Sequence, residues 1–343
     1  EVGIYAMIPL YANMKPAGHP ENIEGTRNTI EKYKNHPALL AWGVQDEPFG
    51  NYVDPSDWLI DSYTAIRNID DVHPVHITED PKKDHIAEAA KYCDFLSTDP
   101  YPNGRYEPAS YVGEIMNAAQ KAVNYEKPVM AVLQTFLWNN NYFPSENDLR
   151  SGIYQSYMEG AQNIAYYGYQ IKNEGLVNTP VGKTVNYLSE TYLWDTIIKF
   201  NQQEAGLANE HFANKETPVF SDYRGKDVWY HGFVKDKSIY MLVMNRASAQ
   251  SKSVDIPLVS YNEKITVSGF TAEVIAGAEP ETKKIEGNTL HSELAPAGTV
   301  LYKITPTAGV DFSSLSWVEF EKLVDYDASY VEDEEKVNDF TGY

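Results

Sequence analysis

Between residues 2 and 203, short apolar runs alternate one for one with segments of helical period, and few folds accept that pattern. The runs are Val2–Leu10, 38–45, Val75–Thr78, Asp94–Thr98, Lys127–Gln134 and Ile164–Ile171. Helices are predicted between and after them, over 21–35, 55–69, 82–92, 109–124, 146–161 and 182–203. Short strands separated by single helices mean parallel βα units, because a parallel pair needs a crossover connection. A closed (β/α)₈ barrel needs eight strands, and this stretch supplies six. No glycine-rich phosphate loop follows any of them, which argues against an open doubly wound sheet. The expected fold is therefore α/β, a TIM-type barrel lacking its first two βα units. Those units would have been cleaved, omitted or supplied by another chain.

Near Gln203 the period changes. From about 216 to 305 the chain reads as short alternating runs, among them Val228–Val234, Ser238–Asn245, Lys252–Ile256, Ala272–Ile275 and Val300–Ile304. Turn residues separate them at intervals suited to an antiparallel β-sandwich. The expected domains are a barrel over 1–204, a sandwich over 205–306 and an acidic segment over 307–343. That last segment places Trp317, Phe320 and Leu323 at helical spacing before the run Glu332–Glu335, as a docking helix with a solvated tail or the start of a further module would.

Composition closes several routes. There are 28 basic and 49 acidic residues, a formal charge of −21, which argues against nucleic acid and anionic membranes as partners. No apolar run reaches the length of a membrane span. The lone Cys93 excludes an internal disulfide and a cysteine metal cluster, and reads as a small buried hydrophobe. His36, His73, His76 and His85 lack metal-ligand spacing, so no metal and no cofactor is expected. No G-x-S-x-G elbow appears. The chain opens on Glu1 without a signal peptide, and its natural N-terminus is expected upstream. Tyrosine is frequent, 26 against 12 Phe and 6 Trp, and rings with a polar tip suit stacking on sugars as well as packing.

The chemistry is concentrated in His36-Pro37-Ala38-Leu39-Leu40-Ala41-Trp42-Gly43-Val44-Gln45-Asp46-Glu47-Pro48. An apolar run bounded by prolines reads as a buried parallel strand, and it ends in two adjacent carboxylates. In a parallel barrel that end is the catalytic face. The bland alternative is a solvated strand exit that caps the next helix.

The order of these strand ends resembles the clan A glycoside hydrolases, which are (β/α)₈ barrels. HPALLAWGVQDEP looks like the fourth strand of that clan, DFLSTDPYP the sixth, KPVMAVLQTF the seventh and IAYYGYQI the eighth; the 216–305 region is similar to the small β-sandwich that often follows. The resemblance implies a retaining glycosidase acting on an oligo- or polysaccharide, with Glu47 as general acid/base. Asp46 beside it would favour its proton-bearing state. Where the clan carries a nucleophilic glutamate this chain has Gln134, and an amide is no nucleophile. Asp99, Glu174 and Glu79 are the other carboxylates near strand ends. Gln134, Asp99, Tyr101, Trp138, Tyr169 and Tyr11 are the expected sugar-contacting residues. The adjacent Asp46 and Glu47 also resemble family 20 hexosaminidases, in which the substrate's 2-acetamido group attacks in place of an enzyme carboxylate. A glycan-binding protein that has lost its chemistry is a third reading. The enzyme class and the acidic surface suggest an extracellular or cell-surface setting.

Overall fold

The computed structural model describes residues 4–10, 20–102, 110–137, 143–171, 186–212, 219–236, 238–247, 249–258, 270–277, 285–286 and 289–306. The acidic 307–343 segment, Tyr11, Trp138 and Glu174 lie outside them. The chain divides into two compact units, 1–214 and 215–343.

The first unit is a six-stranded parallel sheet in sequence order: β1 (Ala6–Pro9), β2 (Leu39–Asp46), β3 (Val75–Glu79), β4 (Phe95–Thr98), β5 (Val129–Gln134) and β6 (Asn163–Tyr167). It is the half-barrel that the alternation predicted. Prolines mark the strand entrances, where a missing N–H costs nothing. The carbonyls of Pro74 and Pro128 still accept, from the Trp42 and Leu96 N–H groups at 3.0 and 3.1 Å. β2 is buried along nearly its whole length, with Trp42 sealed and its indole N–H donated to Asp70 at 2.9 Å.

The crossovers are α1 (Pro20–Tyr33), a short turn α2 (Pro48–Asn51) followed by α3 (Ser56–Ile69), α4 (Lys83–Ala89), α5 (Tyr111–Ala122) and α6 (Glu146–Met158); α7 (Tyr192–Gln203) and two short helical turns over 205–212 follow the strands. α5 turns Val112, Ile115, Met116 and Ala119 inward at helical spacing. α6 starts at a capping box, Ser145 with Asp148, and is buried from Leu149 to Met158. A helix buried all round must satisfy its own polar groups. Arg150 makes a two-pronged pair with Glu204, at 2.5 and 2.8 Å, and Tyr154 donates to the same carboxylate at 2.5 Å. No helix among the described residues is long and apolar enough to cross a membrane.

Two predicted boundaries are corrected. The helix expected over 182–203 begins only at Tyr192: Asn186–Tyr187 (β8) is a strand and Leu188–Glu190 a 3₁₀ turn. The reason is long-range pairing, since β8 pairs with β7 (Gln170–Ile171), which a helix-period reading cannot see. For the same reason the strand expected over 164–171 divides at Gly168–Tyr169 into β6 and β7.

The second unit is antiparallel. Strands β9 (Val219–Arg224), β10 (Val228–Lys235), β11 (Ser238–Asn245), β13 (Phe270–Gly277) and β16 (Thr299–Pro306) form one sheet in the order β13-β16-β11-β10-β9. The other sheet holds β12 (Lys252–Pro257), β15 (Thr289–Leu294) and β14 (Ile285–Glu286). Both contribute to one core: Ile239, Met241 and Val243 from β11, Val300 and Ile304 from β16, Ile256 from β12 and Leu290 from β15. At Gly277, φ is 115° and a Cβ would strike the Thr299 backbone, so only glycine fits where β13 bulges.

The Arg150–Glu204 pair generates a stability prediction. Glu204→Gln leaves the guanidinium buried against a neutral amide, and breaking a buried pair from one side costs about 3–5 kcal/mol. The midpoint of chemical denaturation of the barrel unit should fall accordingly, while Glu24→Gln, on an exposed residue of α1, should leave it in place.

Candidate active site

In a parallel ladder every strand ends on the same side, and the register decides which ends are neighbours. Asp46 pairs with Thr78, Glu79 with Thr98, and Gln134 with Tyr167. Asp46, Glu47, Glu79, Asp99, Gln134 and Tyr167 therefore finish or follow successive strands along one rim.

Glu47 sits immediately past β2 in the left-handed region, φ 47° and ψ 54°, and precedes α2 without capping it through its side chain. Its N–H donates to the Thr78 carbonyl at 2.8 Å, and its Oε2 accepts from the Asn51 amide at 3.4 Å. Its carboxyl lies near that of Asp99, close enough for its charge to act on it. Asp99 is 6% exposed, and its Oδ1 has no hydrogen-bond partner in the protein. Burial, then the nearby Glu47 and the charge of Asp46, hold the Asp99 carboxyl well above the usual carboxylate range. Asp99 is thus a carboxyl that keeps its proton beside Glu47. Asp46 is open to solvent by surface area, yet its carboxyl lies in the crowded mouth of the site. Lost hydration and the charge of Glu47 raise it too.

Tyr101 stands beside the carboxyls. Burial first, then the charge of Asp99, raises its phenol, so it remains a neutral donor. Its ring meets Phe136 edge-on at 5.2 Å, and Tyr167 meets Phe136 edge-on at 5.4 Å. Tyr167 is 52% exposed, so this three-ring group offers one open aromatic face beside the acidic row. Tyr169 belongs to a different group, with Tyr187 and Trp194 at 5.9 and 5.7 Å. Gln134 is 3% exposed; its amide donates to the Phe136 carbonyl at 3.0 Å, while its Oε1 is buried without a partner in the protein.

Glu79, weighed in the sequence only as a spare carboxylate, is fully buried and accepts from the N–H groups of Phe49, Gly50 and Asp80 at 3.1, 3.2 and 3.0 Å. Burial outweighs those donors and pushes its carboxyl up to about 7. Its position at a strand end was legible, but its burial was not. Tyr167 was missed because it reads as one more aromatic in an apolar strand. His76 is a core residue: its Nε2 lies 2.7 Å from Ser97 Oγ, it stacks on Phe95, and burial lowers it to about 4. Glu79, Asp80 and His85 bring potential metal-ligating atoms within 4.8 Å of one another. Those atoms are committed elsewhere, Glu79 to three amides and Asp80 to His85 at 2.7 Å and to the Lys82 ammonium at 3.1 Å. That donor set is already filled by the protein itself.

Known proteins bear on this arrangement. The family described as "Glycosyl hydrolases family 2, TIM barrel domain" matches residues 10–140. Comparison with curated proteins returns no match. Among solved structures the chain is similar to an Anoxybacillus alpha-amylase, with TM-score 0.51 and 12% identity over 85% of this chain and 64% of that one. It is also similar to a glucosidase from Croceicoccus marinus, at TM-score 0.49 and 13% identity over 89% and 79%. A GH2 beta-galacturonidase from Eisenbergiella tayi bound to galacturonate matches at TM-score 0.37 and 14% identity over 49% and 33%. The chain spans less than two thirds of the amylase's length. The first unit is a glycoside-hydrolase-like TIM-barrel domain.

The state of Asp99 gives a pH prediction. Its unfolded value is near 3.8 and its folded value lies far above, so its contribution to stability is complete below about pH 4 and is lost as the pH rises through the folded value. Asp99→Asn is neutral at every pH. Its melting temperature relative to the unsubstituted protein should rise at pH 8 and hardly change at pH 4, as thermal melts at the two pH values would record.

Proposed function

We propose that the barrel unit is the catalytic body of a retaining glycoside hydrolase with Glu47 as general acid/base. The observation that carries the reading is the placing of Glu47 beside the buried carboxyl of Asp99 on the rim where the parallel strands end. Glu47 protonates the departing glycosidic oxygen as a nucleophile on the opposite face of the sugar bonds to the anomeric carbon, and then deprotonates the water that displaces that nucleophile. Asp99, neutral and nearby, holds a second proton beside Glu47. Asp46, at the open mouth, orients the sugar, and Tyr101 with Tyr167 supplies hydroxyls and ring faces. Tyr11 and Trp138, which follow β1 and β5 in the sequence, add to the sugar-contacting set, as do Gln134 and Tyr169.

A second reading draws on the carboxyl inventory. Among the described strand ends, Glu79 is committed to three backbone N–H groups, Asp99 is buried and keeps its proton, and β5 ends in the amide of Gln134. That inventory favours capture of the oxocarbenium-like centre by a 2-acetamido group of the substrate, oriented by Asp46, which also retains configuration. In either reading, further βα units from the same polypeptide or another chain complete the barrel between β1 and β6. Apolar Ile4, Tyr5 and Met7, 73%, 64% and 36% exposed at the β1 edge, support that completion.

The test is an aryl-glycoside panel that includes N-acetylhexosaminides, run on the whole protein, Glu47→Gln and Asp46→Asn. Glu47→Gln should lower kcat about 10²–10⁴-fold, the usual worth of a general acid/base. Activity confined to N-acetylated sugars and sensitive to Asp46→Asn supports the substrate-assisted route. Sugar binding by calorimetry with no turnover overturns the hydrolase in favour of a glycan-binding protein.

A further inference from the structure

The turn that carries Glu47 is short, left-handed at its first residue, and seated on the end of the neighbouring strand. L-residues avoid the left-handed region, so a non-glycine residue stays there only when its surroundings over-determine it. After Glu47 comes Pro48, which has no N–H, and then Phe49 and Gly50, whose N–H groups both point at Glu79. The two oxygens of this fully buried side chain take one each, and Oε1 also takes the N–H of Asp80. A Cβ on Gly50 would lie 2.9 Å from Asp80 Oδ2, so the turn rests directly on the Asp80 side chain. Asp80 is in turn fixed by His85 and Lys82. The Phe49 ring stacks on Tyr92 at 6.1 Å, which pins the far side.

We propose that Glu79 is a positioning residue: its side chain clamps the Phe49 and Gly50 amides, fixes the backbone of Glu47, and aims the Glu47 carboxyl at Asp99 and the substrate. This deepens the hydrolase reading and rests on it for the role of Glu47. Glu79 touches no reacting atom. It acts through the turn, and an error of about 1 Å in an acid/base can cost about 10²-fold in rate.

Two measurements on the whole protein decide it, each made on Glu79→Gln and on Glu79→Asp. In the first variant an amide N–H₂ faces a backbone donor; in the second the carboxylate is withdrawn by one methylene, and it serves if the first fails to fold. Hydrogen exchange read by mass spectrometry should quicken about tenfold in the peptide spanning 46–52 and stay unchanged in the peptide spanning 39–45, by loss of a local rather than a global structure. On the best glycoside of the panel, kcat should fall about 10–100-fold with KM little changed, as when positioning and not uniform binding is lost. Unchanged exchange at 46–52 in both variants overturns the clamp. Quicker exchange with unchanged kcat overturns the positioning role. Quickening of both peptides with kcat and KM altered together also overturns it, since that is loss of fold. An unsubstituted protein that turns over no glycoside sinks the hydrolase reading, and exchange alone then decides the clamp.

Discussion

The parallel ladder running from β2 through β3 to β4 is what the site depends on. Strands of one polarity deliver their final residues to one rim, and the pairings Asp46 with Thr78 and Glu79 with Thr98 set those residues side by side. A slip of one residue would turn each side chain to the other face of the sheet. Burial of Trp42, Ile77 and Leu96 makes such a slip expensive, so the apolar interior holds the register on which the acidic rim relies.

Four carboxyl groups in that small region would repel one another if all were charged. Burial resolves the conflict unevenly. Asp99, almost sealed, gives up its charge; Glu79, fully sealed, is met by three backbone donors; Asp46 remains at the open mouth. Each group thereby acquires a different chemical character from the same functional group. Differences of environment of this kind are how one fold obtains a carboxyl that keeps its proton, a structural acceptor and an outward-facing carboxyl within one cluster.

Much of the barrel unit was legible in the primary structure because its signals are local. Apolar runs bounded by Pro37, Pro74 and Pro128, with helical periods between them, gave every parallel strand and its order. Glu47 and Asp46 stood out because two carboxylates end a buried run. Long-range facts were not legible: the β7–β8 pairing that shortens the helix expected over 182–203, and strand β9, whose Phe-Ser-Asp-Tyr pattern is too polar to announce itself. The partnership of Glu47 with Asp99, 52 positions apart, has no local trace. The same holds for Glu79 and its amides.

The sequence by itself determined the α/β alternation, the change to antiparallel strands after residue 216, and a rim bearing Asp46, Glu47, Asp99 and Gln134, because hydrophobic period and chain breaks are written residue by residue. Tertiary structure alone decided which carboxyls are buried, which one keeps its proton, and that Glu79 faces the Phe49 and Gly50 amides. Protonation and hydrogen bonding depend on desolvation and on distances between residues far apart in the chain, and only packing supplies either.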